Sequence, residues 1–212
     1  MPENILEKII KNKEKKIDLL KKSITIETLK NKIDENKSFV NFKEKIENNI
    51  NENKISIIAE IKKASPSAGL LVKNFQPNEI AKLYIENGAS FLSVLTEEDF
   101  FLGKLDYIKN IKNNYKIPIL CKDFFFDPYQ IALAKSYGAD CILLILAAVD
   151  KILAKDLYQA ANDLNISTIV EVHTKKEAEE ALFFENSIIG INNRNLKTLE
   201  ISLDTSINLS KI

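Results

Sequence analysis

From residue 56 onward the chain alternates short β-branched apolar runs with longer stretches that repeat apolar residues every three or four positions. The runs occupy residues 56–59, 91–95, 117–120, 141–146, 166–172 and 188–191, and each reads as a strand. Stretches such as 77–87, 127–137, 150–165 and 175–184 read as helices between them. Strands this apolar are covered on both faces, and a parallel strand needs a crossover to reach its neighbour, so the pattern specifies an α/β chain with a parallel sheet. An open nucleotide-binding sheet calls for a glycine-rich turn after its first strand. Here that turn is EIKKASPSAG, with charges and a proline in place of the glycines, which favours a barrel. A barrel builds its active site at the C-terminal ends of its strands.

Residues 1–54 differ in kind. They are rich in Lys, Glu and Asn, with apolar positions at Ile5, Ile9, Leu19 and Leu20, which suits one or two amphipathic surface helices. The chain therefore divides into an N-terminal helical extension, residues 1–54, and a barrel domain, residues 55–212. Thirty basic residues balance thirty acidic ones, so no overall field favours nucleic acid or an acidic membrane. The longest apolar runs, 141–149 and 166–170, fall short of the roughly 20 residues that span a bilayer, and the N-terminus has no signal-peptide core. A cytoplasmic protein is expected. Cys121 and Cys141 sit inside apolar runs as small hydrophobes, and two cysteines with one histidine do not complete a tetrahedral zinc site. Neither a metal nor a disulfide is assigned.

Charged residues recur where the strands end. Glu60 and Lys62 follow the first, Lys122 the third, Glu171 interrupts the end of the fifth, and Asn192 and Arg194 follow the sixth. Buried Lys and Glu are costly unless paired or functional, so their repetition at corresponding positions points to a shared pocket. A surface salt bridge is the plain alternative for Glu60 and Lys62. Their two-residue spacing places both on one face, toward the barrel mouth, provided that the strand persists to Lys62. Lys122 follows a buried run and precedes three phenylalanines. A snorkelling lysine is the plain alternative, but a partly desolvated ammonium is the better proton donor near neutrality. Glu171, between Val170 and Val172, is either a structural carboxylate or a general base. His173, the only histidine, is expected on the face opposite Glu171, as a capping or packing residue. Of the phenylalanines at 100, 101 and 124–126, one or two are expected to line a slot for a flat ring.

The segments IIAEIKKASPSAGLL, LSVLTEEDFFLGKLDYI, PILCKDFFFDPYQI, GADCILLI, IVEVHTKKEAEEAL and IIGINNRNLKTLEISLD, in this order, resemble the indole-3-glycerol phosphate synthases of tryptophan biosynthesis. The resemblance implies a (β/α)8 barrel with an N-terminal helical extension and no metal or organic cofactor. It implies a phosphorylated small-molecule substrate, 1-(2-carboxyphenylamino)-1-deoxyribulose 5-phosphate, whose ring closes with loss of carbon dioxide and water. Lys122 then matches the general acid and Glu171 the general base, and Glu60 and Lys62 match a catalytic pair that orients and charge-balances the substrate. Ser65, Pro66 and Ser67 shape the adjoining loop. Asn192 matches a hydrogen-bonding residue near the sugar, with Arg194 beside it, and Phe101, Phe124 and Leu143 match the slot for the anthranilate ring. Association with other tryptophan-pathway enzymes is the partner expectation that the resemblance carries.

Six strand–helix units over residues 55–212 average about 26 residues, and two more would bring the chain to roughly 260, the usual barrel length. The resemblance places the phosphate grip in those two further units, so the 212 residues alone are expected to associate, to bind substrate weakly and to be inactive at ordinary substrate concentrations. Two other readings remain at this point. One is a different phosphate-binding barrel, an isomerase or an aldolase forming a Schiff base through Lys122. The other is a non-catalytic remnant or interaction module.

Overall fold

The computed structural model describes residues 5–35, 39–195 and 200–212. Three helices come first: α1 (Ile5–Ser23), α2 (Ile26–Glu35) and α3 (Phe42–Asn51). The strand β1 (Ile58–Ile61) and a two-stranded hairpin, β2 (Ala64–Ser65) with β3 (Gly69–Leu70), follow. Then come α4 (Pro77–Glu86), β4 (Phe91–Leu95), α5 (Leu105–Asn114), β5 (Ile119–Lys122), α6 (Pro128–Ser136), β6 (Cys141–Ile145), a 3-10 turn (Leu146–Ala148), α7 (Lys151–Asp163), β7 (Ser167–Val172), α8 (Lys175–Ala181), β8 (Ile188–Ile191) and α9 (Asp204–Leu209). Six strands pair in parallel in the order β1-β4-β5-β6-β7-β8, a curled half-barrel sheet with helices on its outside.

Alternation along each strand sorts the core into two layers. Ile61, Val94, Cys121, Ile142, Leu144 and Val170 point outward into a cluster with Ala81, Ile108, Ile131, Leu157 and Ala178 of the surrounding helices. Phe91, Leu120, Cys141, Leu143, Ile145 and Ile169 point inward and form a second cluster. Side-chain caps fix where the helices start: Asp127 and Gln130 make a capping box on α6, Asp150 accepts from Ile152 and Leu153 on α7, and Thr174 accepts from Glu177 on α8.

The N-terminal helices do more than coat a surface, and they number three where one or two were expected. Phe42 of α3 is fully buried at the bottom of the inner cluster, with its ring centroid 4.4 Å from that of Phe91. The Val40 N–H donates to Asp140 at 2.8 Å. That carboxylate also takes the Lys112 ammonium and the Ile119 N–H, which offsets part of the rise that its burial causes. Ile17, Leu29 and Ile33 of α1 and α2 pack with Tyr129, Ala132 and Leu133 of α6, which is consequently buried almost all round. No helix among the described residues is long and apolar enough to cross a membrane.

Candidate active site

The inner face of the sheet changes from apolar to charged at the C-terminal ends of its strands. Cys121 and Val170 face outward, so Lys122 and Glu171 face inward, each two residues past the last inner apolar position of its strand, Leu120 on β5 and Ile169 on β7. The Lys122 Nζ lies 3.9 Å from Glu171 Oε2, with the lysine side chain 31% exposed and the carboxylate 11%. Asn192 follows β8, whose register sets Glu171 beside Gly190, and its side chain also reaches Glu171. The Asn192 Oδ1 accepts the Arg194 N–H at 2.9 Å, while Arg194 itself is exposed and bridges to Ile201.

His173 belongs to this group, contrary to its sequence-based placement. Residues two apart on an extended chain share a face, so His173 lies on the same side as Glu171. Its Nε2 is 3.3 Å from Glu171 Oε1, and its Nδ1 is 3.4 Å from Glu177 Oε2. The ring nitrogens are close to the oxygens but not aligned for full hydrogen bonds, so these are ion-pair contacts. Burial alone raises the Glu171 carboxyl, yet His173, Lys122 and Asn192 outweigh it and hold the group below the usual carboxylate range. Burial alone lowers the His173 imidazole, yet Glu171 and Glu177 outweigh it and hold the ring above its usual value.

Glu60 and Lys62 stand apart from that cluster. The strand β1 stops at Ile61, but alternation still carries both side chains inward, and they pair directly with each other. Each remains about one-third exposed. Of the loop expected to shape the pocket, Ser65 ends the short strand β2 and its hydroxyl accepts the Ala68 N–H at 3.2 Å across a turn containing Pro66 and Ser67. Phe101 and Phe124 face one another with centroids 6.2 Å apart, and Phe124 packs against the inner cluster that contains Leu143. Phe101 and Phe124 thus make an apolar pair whose second member rests on the inner cluster.

Two carboxylates that hold the mouth together escape a motif-based reading. Glu97, 2% exposed, accepts the backbone N–H groups of Asp99, Phe100 and Phe101 at 3.1, 2.8 and 3.0 Å and so fixes the loop that presents Phe101. Asp123 accepts the Thr96 hydroxyl at 2.6 Å and pairs with Lys13 of α1 at 2.6 Å. Lys16 reaches Glu98 and Asp99 at 2.9 and 2.7 Å, so α1 straps the β4 and β5 loops from above. The Cys121 thiol beneath is pushed up to about 12 by burial, with Asp123 adding to the effect. The visible signal for both residues is a carboxylate one to four positions ahead of loop amides just after a strand.

Among the described residues no group of His, Cys, Asp and Glu is arranged to hold a metal ion, and both cysteines are free and buried. The arrangement can donate a proton from Lys122, accept one at Glu171 and hold a flat ring against Phe101 and Phe124.

The family model for indole-3-glycerol phosphate synthase matches residues 6–212. A protein of that description from Trichodesmium erythraeum (strain IMS101) is 42% identical over 209 residues, which is 98% of this chain and 70% of the relative. The corresponding protein of Bordetella pertussis (strain Tohama I) is 48% identical over 168 residues, 79% of this chain and 64% of its own length. That of Polynucleobacter necessarius subsp. necessarius (strain STIR1) is 41% identical over 211 residues, covering 97% of this chain and 79% of the relative.

Proposed function

The chain belongs to the indole-3-glycerol phosphate synthase family, and on that premise we propose that it converts 1-(2-carboxyphenylamino)-1-deoxyribulose 5-phosphate to indole-3-glycerol phosphate, with Lys122 as general acid and Glu171 as general base. The observation that carries the reading is the inward-facing Lys122–Glu171 pair, 3.9 Å apart, together with the Phe101–Phe124 pair.

Ring closure forms a bond between the benzene carbon bearing the carboxylate and the sugar ketone carbon. As that bond forms, Lys122 donates a proton to the ketone oxygen, which becomes a hydroxyl. The ring regains its aromatic electrons when the carboxylate leaves as carbon dioxide. The hydroxyl then departs as water on a proton from Lys122, which solvent has recharged, while Glu171 takes a proton from the methylene carbon between the nitrogen and the former ketone carbon, and the pyrrole double bond forms between those two carbons. A carboxylate held ionised by its neighbours is ready for that role. Asn192 is placed to hold the sugar, with Arg194 as its neighbour. Glu60 and Lys62 are placed to meet the substrate's charges, since their mutual contact is exposed enough to exchange for a ligand. Phe101, Phe124 and Leu143 take the anthranilate ring, and Ser65, Pro66 and Ser67 shape the loop over it.

In this reading the six parallel strands correspond to six strands of a (β/α)8 barrel, residues 1–54 to a helical extension and residues 55–212 to barrel, in a cytoplasmic enzyme that associates with others of tryptophan biosynthesis. The test is direct: the purified 212-residue chain is given the substrate, and indole fluorescence and carbon dioxide release are followed together. Equal amounts of both products are expected. Borohydride trapping of substrate on Lys122 would instead show a Schiff-base enzyme, and absence of turnover at saturating substrate would favour a non-catalytic role.

A further inference from the structure

We propose that His173 is a positioning residue for the base: clamped between Glu171 and Glu177, its imidazolium holds the Glu171 carboxylate charged and turned toward Lys122. The inference rests on the proposed function for the role of Glu171, but its geometry stands independently.

The chain of contacts runs from the pocket to the surface. Lys122 of β5 faces Glu171 Oε2, and His173 Nε2 faces the other carboxylate oxygen, Oε1. The far side of the ring meets Glu177 of α8. A local motif fixes that outer carboxylate: the Thr174 hydroxyl accepts the Glu177 N–H at 3.2 Å, and Glu177 Oε2 accepts the His173 N–H at 2.7 Å. His173 is therefore held by backbone and side chain at once, at the helix start that follows its own strand. Its side chain is 9% exposed, between Glu171 at 11% and Glu177 at 19%.

Charge makes the arrangement functional. An ionised carboxylate as enclosed as Glu171 needs compensation, and Lys122 alone cannot supply it through a reaction in which it gives away its proton. At that stage His173 is the remaining cation in contact with Glu171. The charged groups around the ring are Glu171 from β7 and Glu177 from α8, with Lys122 of β5 beyond Glu171; the Asn192 amide reaches Glu171 from the end of β8. Two anions flank one imidazole, which favours its protonated form.

The chain has one histidine, so its imidazole resonances in an NMR titration need no assignment. In the parent protein the titration midpoint is expected above the ordinary value of about 6.5. It should fall in Glu171→Gln and again in Glu177→Gln, each of which keeps an amide acceptor in place. A parent midpoint at or below about 6.5, or one unmoved by Glu171→Gln, overturns the clamp whether or not the chain turns over substrate. In kinetics, His173→Gln should lower kcat about tenfold with KM within about twofold, and move the acid limb of the pH profile up by about one pH unit. A fall in kcat with the acid limb in place would make His173 a packing residue and overturn the proposal. A parent that titrates as expected but yields no product supports the clamp and defeats the functional reading instead.

Discussion

The strands β6 and β1 belong to one sheet and meet the same inner space, yet they are built to different standards. Every residue of β6 is buried, whereas β1 runs from exposed to buried over four residues, and β8 at the opposite rim is likewise only partly covered. The site divides along the same line. Glu171, from the central region, sits among His173, Lys122 and Asn192 in an environment that shifts its ionisation. Glu60 and Lys62, from the rim, hold one another in a contact open to solvent. The comparison teaches that a carboxylate's charge is fixed where packing and neighbouring groups surround it, as at Glu171, and stays open to exchange where they do not, as at Glu60.

The largest effect should come from the centre. Lys122→Ala removes the proposed acid and is expected to cost about 10² to 10⁴ in turnover with an unchanged circular dichroism spectrum. Near-normal turnover would break the contrast at its root. Stability offers the next test. Leu144→Ala, at a fully buried position of β6, should lower unfolding free energy by about 2–5 kcal/mol in urea titrations, because the helix-facing layer cannot collapse around the gap. Ile58→Ala, 37% exposed on β1, should cost less than about 1 kcal/mol. Equal losses would mean that the rim is as tightly packed as the centre.

Lys62→Met should raise KM by up to about tenfold and change stability by less than about 0.5 kcal/mol, since an exposed pair contributes little to folding. A drop in kcat at unchanged KM would move the rim pair into the chemistry. The smallest effect is the pH dependence of stability. The lowered Glu171 carboxyl contributes stability above its unfolded value of about 4.3, lost as pH falls through the lower folded value. The raised His173 contributes below its unfolded value of about 6.5, lost as pH rises through the higher folded value. Thermal midpoints should therefore decline on the alkaline side in the parent, and this decline should shrink in His173→Gln.

Much of the fold was legible because apolar, β-branched runs mark most of the strands. The strands expected at 91–95 and 188–191 match residue for residue. The first was expected at 56–59 and lies at Ile58–Ile61, because its bounds follow the pairing with β4, Ile58 with Phe91 and Ile61 with Val94, and not its own apolar run. The third shifts from 117–120 to Ile119–Lys122 for a related reason. Pro118 has no N–H to donate, and Leu95 pairs with Lys122, drawing the charged residue into the sheet. Helix α8 ends at Ala181, short of the expected 184, and exposes Leu182 and Phe183 beyond it. At the site, Lys122, Glu171 and Asn192 were visible as polar residues at strand ends. His173 was misplaced by a misapplied alternation, and Glu97 and Asp123 carried only the weak signal of a carboxylate just after a strand, because their partners are loop amides and a lysine of α1.

The α1 strap sets an order of events during synthesis. Lys13 and Asp123 are separated by 110 residues, and Lys16 and Glu98 by 82. At about 5–20 residues per second, Lys13 leaves the ribosome roughly 5–20 s before its carboxylate partner does. Until Asp123 is made α1 has only the β4 half of its strap, whereas the pairing of β1 with β4 needs only the β2–β3 hairpin and α4 between them. The nascent sheet therefore starts with its top still open, and α1 docks only when β5 and α6 have been made, ahead of β6, β7 and β8.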